Sequence, residues 1–181
     1  WKDSITEMQR RKVKKANMPK DTLAIYNLSS KTLTKISDIK SYKVPEKWAG
    51  YVAYLLDEIK KPVSKEKTKK TDSKAKAKKI KKVSAKNGYH LVVRNLTTQQ
   101  EDTLKYVTSY SFAKEGKSLV YVSTGDTDAK NGGVYVMNLN NNQTTEVFTA
   151  NNKSTYYQLS FNDAGNKMAF VVDADTTKAL V

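Results

Sequence analysis

The chain contains no cysteine, and its 181 residues include only 1 histidine, 3 prolines and 7 glycines. The absence of cysteine excludes disulfide bonds, thiolate metal sites and a cysteine nucleophile. With one histidine, a serine, histidine and aspartate triad would have to use His90. No apolar run reaches the roughly 18 to 20 residues needed to cross a bilayer, and the N-terminal residues lack the apolar core of a secretory signal. We therefore expect no membrane span.

Positive charge is abundant, but it is concentrated in two segments. The formal net charge is +15, of which residues 60–86 carry +11 and residues 1–20 carry +5. The remaining 134 residues carry −1. A basic protein suggests a polyanionic partner, yet this distribution indicates a nearly neutral body with two basic segments attached to it.

A repeated unit lies on both sides of the longer basic segment. The stretches "TLAIYNLSSKTLTKI", "HLVVRNLTTQQEDTL" and "GVYVMNLNNNQTTEV" each contain an alternating strand, an Asn-Leu pair, a polar turn and a second strand. The anchors Asn95 and Asn138 are 43 residues apart, whereas Asn27 and Asn95 are 68 apart. Removing about 25 residues of the lysine-rich segment shortens the spacing of 68 to about 43, so the segment is predicted to be an insertion.

A second motif alternates with the first and completes the unit. "VPEKWAGYVAYLLDE", "FAKEGKSLVYVSTGD" and "FNDAGNKMAFVVDAD" each place a Gly-containing turn before an apolar run, with Tyr54, Tyr121 and Phe170 at one equivalent position. Four short antiparallel strands recurring every 43 or so residues are typical of a β-propeller blade. An all-β sandwich is the alternative, but it does not explain a fixed period.

We therefore predict an all-β fold, a partial β-propeller of about three four-stranded antiparallel blades with a disordered Lys-rich insertion. The blade-like units cover about residues 1–40, 41–108 (with the insertion at 60–86), 109–150 and 151–181, the last being incomplete. We name the strands of a blade A to D from the axis outward, and expect the chain to begin near the end of a B strand. Closed propellers need about 4 to 8 blades, so we expect these residues to be part of a larger ring.

Both basic segments precede a C strand, so they are expected to leave the same rim as neighbours. Residues 60–86 combine Lys, Ser, Thr and Ala, which predicts a mobile loop. They contain neither interleaved aromatic residues for base stacking nor arginine for bidentate base contacts. We expect at most nonspecific, salt-sensitive contact with polyanions, carried by Lys65, Lys67, Lys69, Lys70, Lys78, Lys79, Lys81 and Lys82.

The repeated motifs, together with a Lys-rich insertion between them, resemble the N-terminal propeller of prolyl oligopeptidase (S9-type) serine peptidases, especially Bacteroidetes-type forms. The resemblance covers about residues 18 to 175, through D-[ST]-L-x-I-x-[ND]-L and F-[SN]-x-[DE]-G-x-x-[LM]-x-[FY]. Similar motifs occur in other bacterial propellers, including periplasmic ones. The resemblance implies a C-terminal α/β-hydrolase domain in the same chain, peptide substrates, and a propeller that restricts access to the active site.

The resemblance also implies that this segment is noncatalytic and is periplasmic or secreted. No G-x-S-x-G nucleophile motif occurs, and His90 is expected to be a structural or surface residue. We predict no catalytic residue, no cofactor, no metal and no specific nucleic acid partner. A free-standing periplasmic propeller that binds another protein is the alternative function, and polyanion binding through the Lys-rich loops is the third.

Three smaller signals have structural explanations. Asp126, Asp128 and Asn131 share one turn, but the further oxygen ligands of a calcium loop are missing. The N-x-[ST] sequons start at Asn27, Asn95, Asn142 and Asn152, where Asn and Thr are also good turn formers. Tyr51 and Tyr54 are expected to pack between blades rather than to line a ligand groove.

Overall fold

The computed structural model describes residues 2–13, 18–57, 88–125, 132–150 and 154–174. These described residues form one helix and ten strands. They are α1 (Lys2–Arg10), β1 (Asp21–Asn27), β2 (Thr32–Lys43), β3 (Tyr51–Leu56), β4 (Tyr89–Asn95), β5 (Glu101–Phe112), β6 (Ser118–Thr124), β7 (Gly132–Asn138), β8 (Gln143–Phe148), β9 (Thr155–Phe161) and β10 (Met168–Asp173).

The strands form an antiparallel meander. β1 to β8 are paired in chain order in one sheet, and β9 and β10 form a separate hairpin. β3 and β4 pair directly, with Leu55 opposite Leu91, so the Lys-rich segment connects two adjacent strands. It is an insertion into a hairpin, as its effect on the repeat spacing predicts.

The long strands β2 and β5 each belong to two successive blades. In β2, residues 32–36 pair with β1 and residues 41–43 pair with β3, while Ile39 pairs with both. Between the two parts, Asp38 has a φ of 59°. β5 divides in the same way at Tyr106, where φ is 55°. A left-handed residue of this kind turns the strand, so the D strand of one blade continues into the A strand of the next.

This division defines four blades. Blade 1 is β1 and the first half of β2; blade 2 is the second half of β2, β3, β4 and the first half of β5. Blade 3 is the second half of β5, β6, β7 and β8; blade 4 is the hairpin β9 and β10. Blades 2 and 3 therefore have four strands each, while the described residues supply strands C and D of blade 1 and strands A and B of blade 4.

The Asn anchors of the repeat have one structural cause. Each is the last residue of a C strand, and its side-chain Oδ1 accepts a hydrogen bond from the backbone N–H two residues further on, as in an Asx turn. A residue with left-handed φ follows four positions after each Asn. The anchors, acceptor contacts and left-handed residues are Asn27 with Ser29 and Lys31, Asn95 with Thr97 and Gln99, and Asn138 with Asn140 and Asn142.

Three apolar clusters separate the blades. The first, between blades 1 and 2, has Leu23, Val52 and Tyr54 at its centre. The second cluster lies between blades 2 and 3, and the third lies between blades 3 and 4. The second contains Leu55, Leu91, Val93, Leu119, Tyr121 and Met137, and the third contains Val120, Val122, Val134 and Tyr156 with Phe170 and Val172 packed against them.

Strand β6 shows how the blades stack. Leu119 and Tyr121 belong to the cluster on one side of blade 3, and Val120 and Val122 belong to the cluster on the other side. Because successive side chains of a strand point to opposite faces, this sheet is covered on both faces. A two-sheet sandwich covers one face of each sheet. The prediction of a partial propeller is confirmed.

The structure differs from the sequence analysis at the N-terminal end of the chain. Residues 2–10 form a helix, where the repeat placed the end of a B strand. Glu7 and Arg11 lie on one face of this segment and form an ion pair, and such pairs at i and i+4 favour helix. The expected mobile loop at 60–86 and the turn with Asp126, Asp128 and Asn131 lie outside the described residues.

Candidate functional site: the turn face and the inner strands

One end of the blade stack is formed by short turns. In an antiparallel meander the A–B and C–D connections lie at the same end, and the B–C and D–A connections lie at the other. We call the first end the turn face. It contains the A–B turns at residues 44–50, 113–117 and 162–167 and the C–D turns at 28–31, 96–100 and 139–142.

Trp48 ties two blades together at the turn face. Its indole Nε1 donates a hydrogen bond of 2.9 Å to the carbonyl oxygen of Ala113, in the next A–B turn. Its ring meets Phe112 edge-on, with centroids 5.5 Å apart, and Tyr51 at 6.0 Å. Edge-to-face aromatic pairs contribute about 0.5–1.5 kcal/mol beyond their buried area. Trp48 therefore fixes blade 2 against blade 3 at this edge.

Tyr51 makes a second tie at the same junction. Its hydroxyl donates to the carbonyl oxygen of Leu139 at 2.8 Å and accepts from Asn95 Nδ2 at 3.2 Å. The two contacts join the C–D turn of blade 2 to the C–D turn of blade 3. The sequence predicts that Tyr51 and Tyr54 pack between blades. Tyr51 packs against the second cluster, and Tyr54 lies in the first.

Ion pairs connect successive A–B turns across the turn face. Lys47 of blade 2 contacts Glu115 of blade 3 at 3.4 Å, and Lys114 of blade 3 contacts Asp163 of blade 4 at 2.7 Å. The hydrogen bond and charge of Lys114 lower the pKa of Asp163 below its ordinary value. Exposed pairs of this kind add little stability. They orient the turns of neighbouring blades relative to one another.

A cleft of about 570 Å³ opens between blades 2 and 3 on the turn face. Its lining combines three cationic side chains, one carboxylate and the indole of Trp48. The lining residues are Lys47, Trp48, Lys114, Glu115, Gly116, Lys117 and Asn140. Lys47 and Lys114 are already paired with Glu115 and Asp163, so much of the positive charge of the cleft is compensated.

One backbone carbonyl on the inner edge of blade 3, that of Tyr110, is covered by a lysine. Ala113 donates its N–H to Ser118 of β6, and backbone bonds to one neighbour recur at every second residue. The Tyr110 carbonyl therefore points away from β6, toward the axis. Lys43 Nζ donates to that carbonyl at 2.8 Å and lies over the Tyr110 ring, and Ser41 Oγ lies 3.2 Å from the Tyr110 hydroxyl. A lysine on a strand edge discourages pairing with another strand.

The buried tyrosines are held neutral by their surroundings. Burial raises the pKa of Tyr54, and its hydrogen bond to Glu101 raises that pKa further. Burial also raises the pKa of Tyr110 and of Tyr121. A phenol with a raised pKa is a poor base near neutral pH, so these groups act as packing and hydrogen-bonding residues.

His90 lies on β4 at the opposite end from the turn face. Its ring meets Tyr106 with centroids 5.8 Å apart, a structural contact between the C and D strands of blade 2. In the part of the chain that the structure describes, no three His, Asp or Glu side chains are grouped as a metal site would require. Among the described residues, no helix is long and apolar enough to cross a bilayer.

The basic segments attach at the end opposite the turn face. The eight lysines proposed for polyanion contact (Lys65, Lys67, Lys69, Lys70, Lys78, Lys79, Lys81 and Lys82) lie outside the described residues. The described flanks do meet, because Lys20 Nζ lies 3.6 Å from Asp57 Oδ2. Lys20 ends the first basic segment, and Asp57 precedes the second. The residues at the described ends of the two segments are therefore neighbours, and that the segments leave one rim stays a prediction.

Three of the four sequons lie at C–D turns in the described residues. Asn27 and Asn95 use their side-chain oxygens in turn hydrogen bonds, and Asn142 is the left-handed residue of the third turn. Asn152 lies outside the described residues. A turn-forming role therefore explains these three asparagines without a glycan.

Sequence reasoning did not single out the residues that join the turns. Lys47, Lys114 and Glu115 appear in the sequence as ordinary charged turn residues. The available signal was their recurrence, since each A–B turn carries charged residues at nearby positions ("PEKWAG", "AKEGK", "NDAGNK").

Two solved structures are among those similar to this chain. The β-propeller domain of the Trilobed protease from Pyrococcus furiosus has a TM-score of 0.44 and 14% identity, covering 73% of this chain and 33% of that one. Pyrococcus horikoshii acylaminoacyl peptidase has a TM-score of 0.42 and 13% identity, covering 72% of this chain and 16% of that one. The chain thus spans a third or less of either protein. No protein-family model and no curated protein matches it.

Proposed function

We propose that the chain is the noncatalytic propeller portion of a prolyl oligopeptidase family serine peptidase. In this proposal, an α/β-hydrolase domain further along the same polypeptide carries out peptide hydrolysis, and the propeller limits which substrates reach it. The observation that carries the proposal is the stacking of four-stranded blades through two-sided apolar clusters. The repeat motifs, which resemble those of that family over most of the chain, supply the second support.

The proposed mechanism is exclusion by geometry. Where an inner carbonyl is covered, as Lys43 covers that of Tyr110, it is not available to pair with a passing peptide. A peptide can therefore pass blade 3 without adding a strand to it. Folded proteins are excluded by the width of the channel. Periplasmic or secreted location belongs to the same proposal, and fractionation of the source cells tests it.

An activity-based probe tests the peptidase assignment. Antibodies raised against this chain recover the native protein from source cells, and a fluorophosphonate probe then labels any activated serine. Labelling of the recovered polypeptide, lost after heat denaturation, supports the proposal. Recovery of an unlabelled polypeptide contradicts it.

The gating step needs a separate measurement on the same native protein. Loosening the junction between blades 2 and 3 with Trp48→Ala is expected to raise cleavage of a large unfolded protein while leaving cleavage of a short peptide nearly unchanged. The matched control is Tyr157→Ala, which removes an aromatic side chain from an exposed position. Equal effects of the two substitutions, or no effect of Trp48→Ala on the large substrate, would contradict gating.

A free-standing propeller that binds another protein is the second candidate. The cleft on the turn face, with Trp48 beside Lys47, Lys114 and Lys117, favours it. An unlabelled native protein that copurifies with one partner, and loses that partner on Trp48→Ala, would support this function. Polyanion binding is tested by filter binding to DNA, where submicromolar affinity at physiological salt would support it.

A further inference from the structure

The inner strand of each blade has one backbone edge that faces the axis. In blade 3, residues 109–112 of β5 pair with β6, and no second strand among the described residues pairs with them. The apolar clusters place blade 2 on one side of blade 3 and blade 4 on the other, so this edge stays open in a blade with neighbours on both sides. The open inner edge therefore belongs to the blade architecture and does not depend on what precedes β1 or follows β10.

Leu159 and Phe161 form the equivalent edge of blade 4. Asn162 donates its N–H to the carbonyl of Lys167, which directly precedes β10. The backbone groups of successive residues alternate between the two edges of a strand, so those of Phe161 and Leu159 point away from β10, toward the axis. The side chains of both residues pack against the third cluster. This packing holds the edge in a fixed position.

A lysine covers the inner edge of blade 3 but not that of blade 4. Lys43 of blade 2 donates to the Tyr110 carbonyl of blade 3. Its equivalent in blade 3 is Ser111, since each lies opposite the residue before the aromatic anchor of its own strand B. The serine side chain is much shorter, and its Oγ lies 3.5 Å from the carbonyl of Phe112 in its own blade. Among the described residues of blade 3, none donates to the Leu159 carbonyl, the counterpart of that of Tyr110.

The edge of blade 4 is also more open near the turn face. Phe112 is 8% exposed, and the ring of Trp48 packs edge-on against it. Phe161 holds the same position in blade 4 and is only partly buried. Strand β9, with the sequence TYYQLSF, contains no lysine, arginine or proline. These are residues that protect a strand edge from pairing, so β9 lacks that protection.

We propose that the inner edge of β9 binds one extended peptide segment as an added strand. The N–H and C=O groups of Leu159 and Phe161 pair with the peptide backbone, as in other cases of peptides that extend a sheet edge. The neighbouring side chains of Ser111, Gln158 and Ser160 are uncharged, so the peptide is recognised by its backbone rather than by its charge. Blade 3, covered by Lys43, does not take up the same peptide.

The inference rests on the proposed function, because it gives a docking place to a peptide that enters the channel. The two can fail separately. A chain that binds no peptide overturns the docking site and leaves fluorophosphonate labelling of the native protein unaffected. A native protein without an activated serine overturns the peptidase assignment and leaves peptide binding by β9 unaffected.

N-methylated peptides test the mode of binding. The probe is a fluorescein-labelled peptide of about ten residues that alternates threonine and valine, which favour strands and carry no charge. Methylating the threonine nitrogens removes the backbone donors along one edge only, and the peptide can still pair through its other edge. That peptide should bind within about threefold of the probe, whereas methylation along both edges should weaken binding about tenfold or more. Equal binding of all three peptides would overturn strand addition.

A lysine placed in blade 3 tests the site itself. Ser111→Lys puts the covering side chain of blade 2 at the equivalent position of blade 3, where it reaches the Leu159 carbonyl. It should weaken binding of the uncharged probe about tenfold or more. Gln143→Lys adds the same charge on the exposed strand β8, away from the inner strands, and should leave binding unchanged. Equal effects of the two substitutions would contradict the proposal.

Amide shifts of the unsubstituted chain locate the contact. Proton–nitrogen correlation spectra, recorded as the probe is added to about 1 mM, should show the largest shifts at Leu159 and Phe161. Ser160 should shift less, because its backbone groups face β10. The proposal is overturned by no shifts at all or by shifts confined to Lys117 and Asn140 of the cleft. It is also overturned by shifts at Leu159 that grow with protein concentration alone, as pairing with a second copy would cause.

Discussion

Leu119 and Val120 are neighbours in β6, and the stacked blades predict that truncating either one destabilises the protein. Both side chains have 0% exposure, Leu119 in the cluster between blades 2 and 3 and Val120 in the cluster between blades 3 and 4. A buried Leu→Ala substitution costs about 2–5 kcal/mol. Val120→Ala removes two methyl groups, which at ~0.8 kcal/mol each plus a cavity term is about 1.5–3 kcal/mol.

Urea unfolding followed by circular dichroism measures both effects. With a slope of about 1–3 kcal/mol per molar urea, each substitution should lower the unfolding midpoint by roughly 0.5 M or more. Thr145→Ala on β8, where every residue is exposed, is the matched control and should change stability by less than about 0.5 kcal/mol. If either Leu119→Ala or Val120→Ala behaves like the control, one face of β6 is uncovered and the blade stacking is wrong.

Three further predictions use other parts of the structure. Tyr51→Phe leaves the Leu139 carbonyl without the phenol that contacts it and should cost about 1–3 kcal/mol by urea unfolding; no change would show that the contact does not form in solution. Burial raises the folded-state pKa of Tyr54 and Tyr110 above that of an unfolded tyrosine. Their contribution to stability is therefore fully present below about pH 10 and is lost as the pH rises through the folded-state pKa values. An absorbance titration at 295 nm should show these tyrosines ionising only when the protein unfolds, and ionisation without unfolding would contradict this. Deleting residues 61–86 leaves a short connection between paired strands and should change the melting temperature by less than about 2 °C; a large loss of stability would refute an insertion.

The blade repeat was predictable from sequence because its anchors act locally. Asn27, Asn95 and Asn138 each bond to backbone groups within their own turn. A local bond leaves the same residue at the same place in every copy. The alternation of apolar residues in β4 and β7 likewise follows from the pleat of a strand. These features need no knowledge of the rest of the fold.

Features that depend on neighbouring blades were not predictable. Lys43 meets Tyr110, and Trp48 meets Ala113, across more than 60 residues of chain. Nothing in the residue types at these positions specifies the partner. Asp38 and Tyr106 have left-handed φ without being glycine. Turn propensities therefore do not predict where a D strand bends into the next A strand. The predicted B strand at the start of the chain is wrong, because residues 2–10 form a helix. That prediction came from extending the repeat spacing and not from the residues themselves.

Contacts between rings in adjacent blades test the central claim, the stacking of the blades, most directly. Trp48 and Phe112 have ring centroids 5.5 Å apart across blades 2 and 3, and Phe148 and Phe170 have centroids 5.9 Å apart across blades 3 and 4. A nuclear Overhauser spectrum of the chain with labelled aromatic residues should therefore show cross-peaks within both pairs. Their absence from a folded sample with well-dispersed resonances would contradict the stacking of blades 2, 3 and 4.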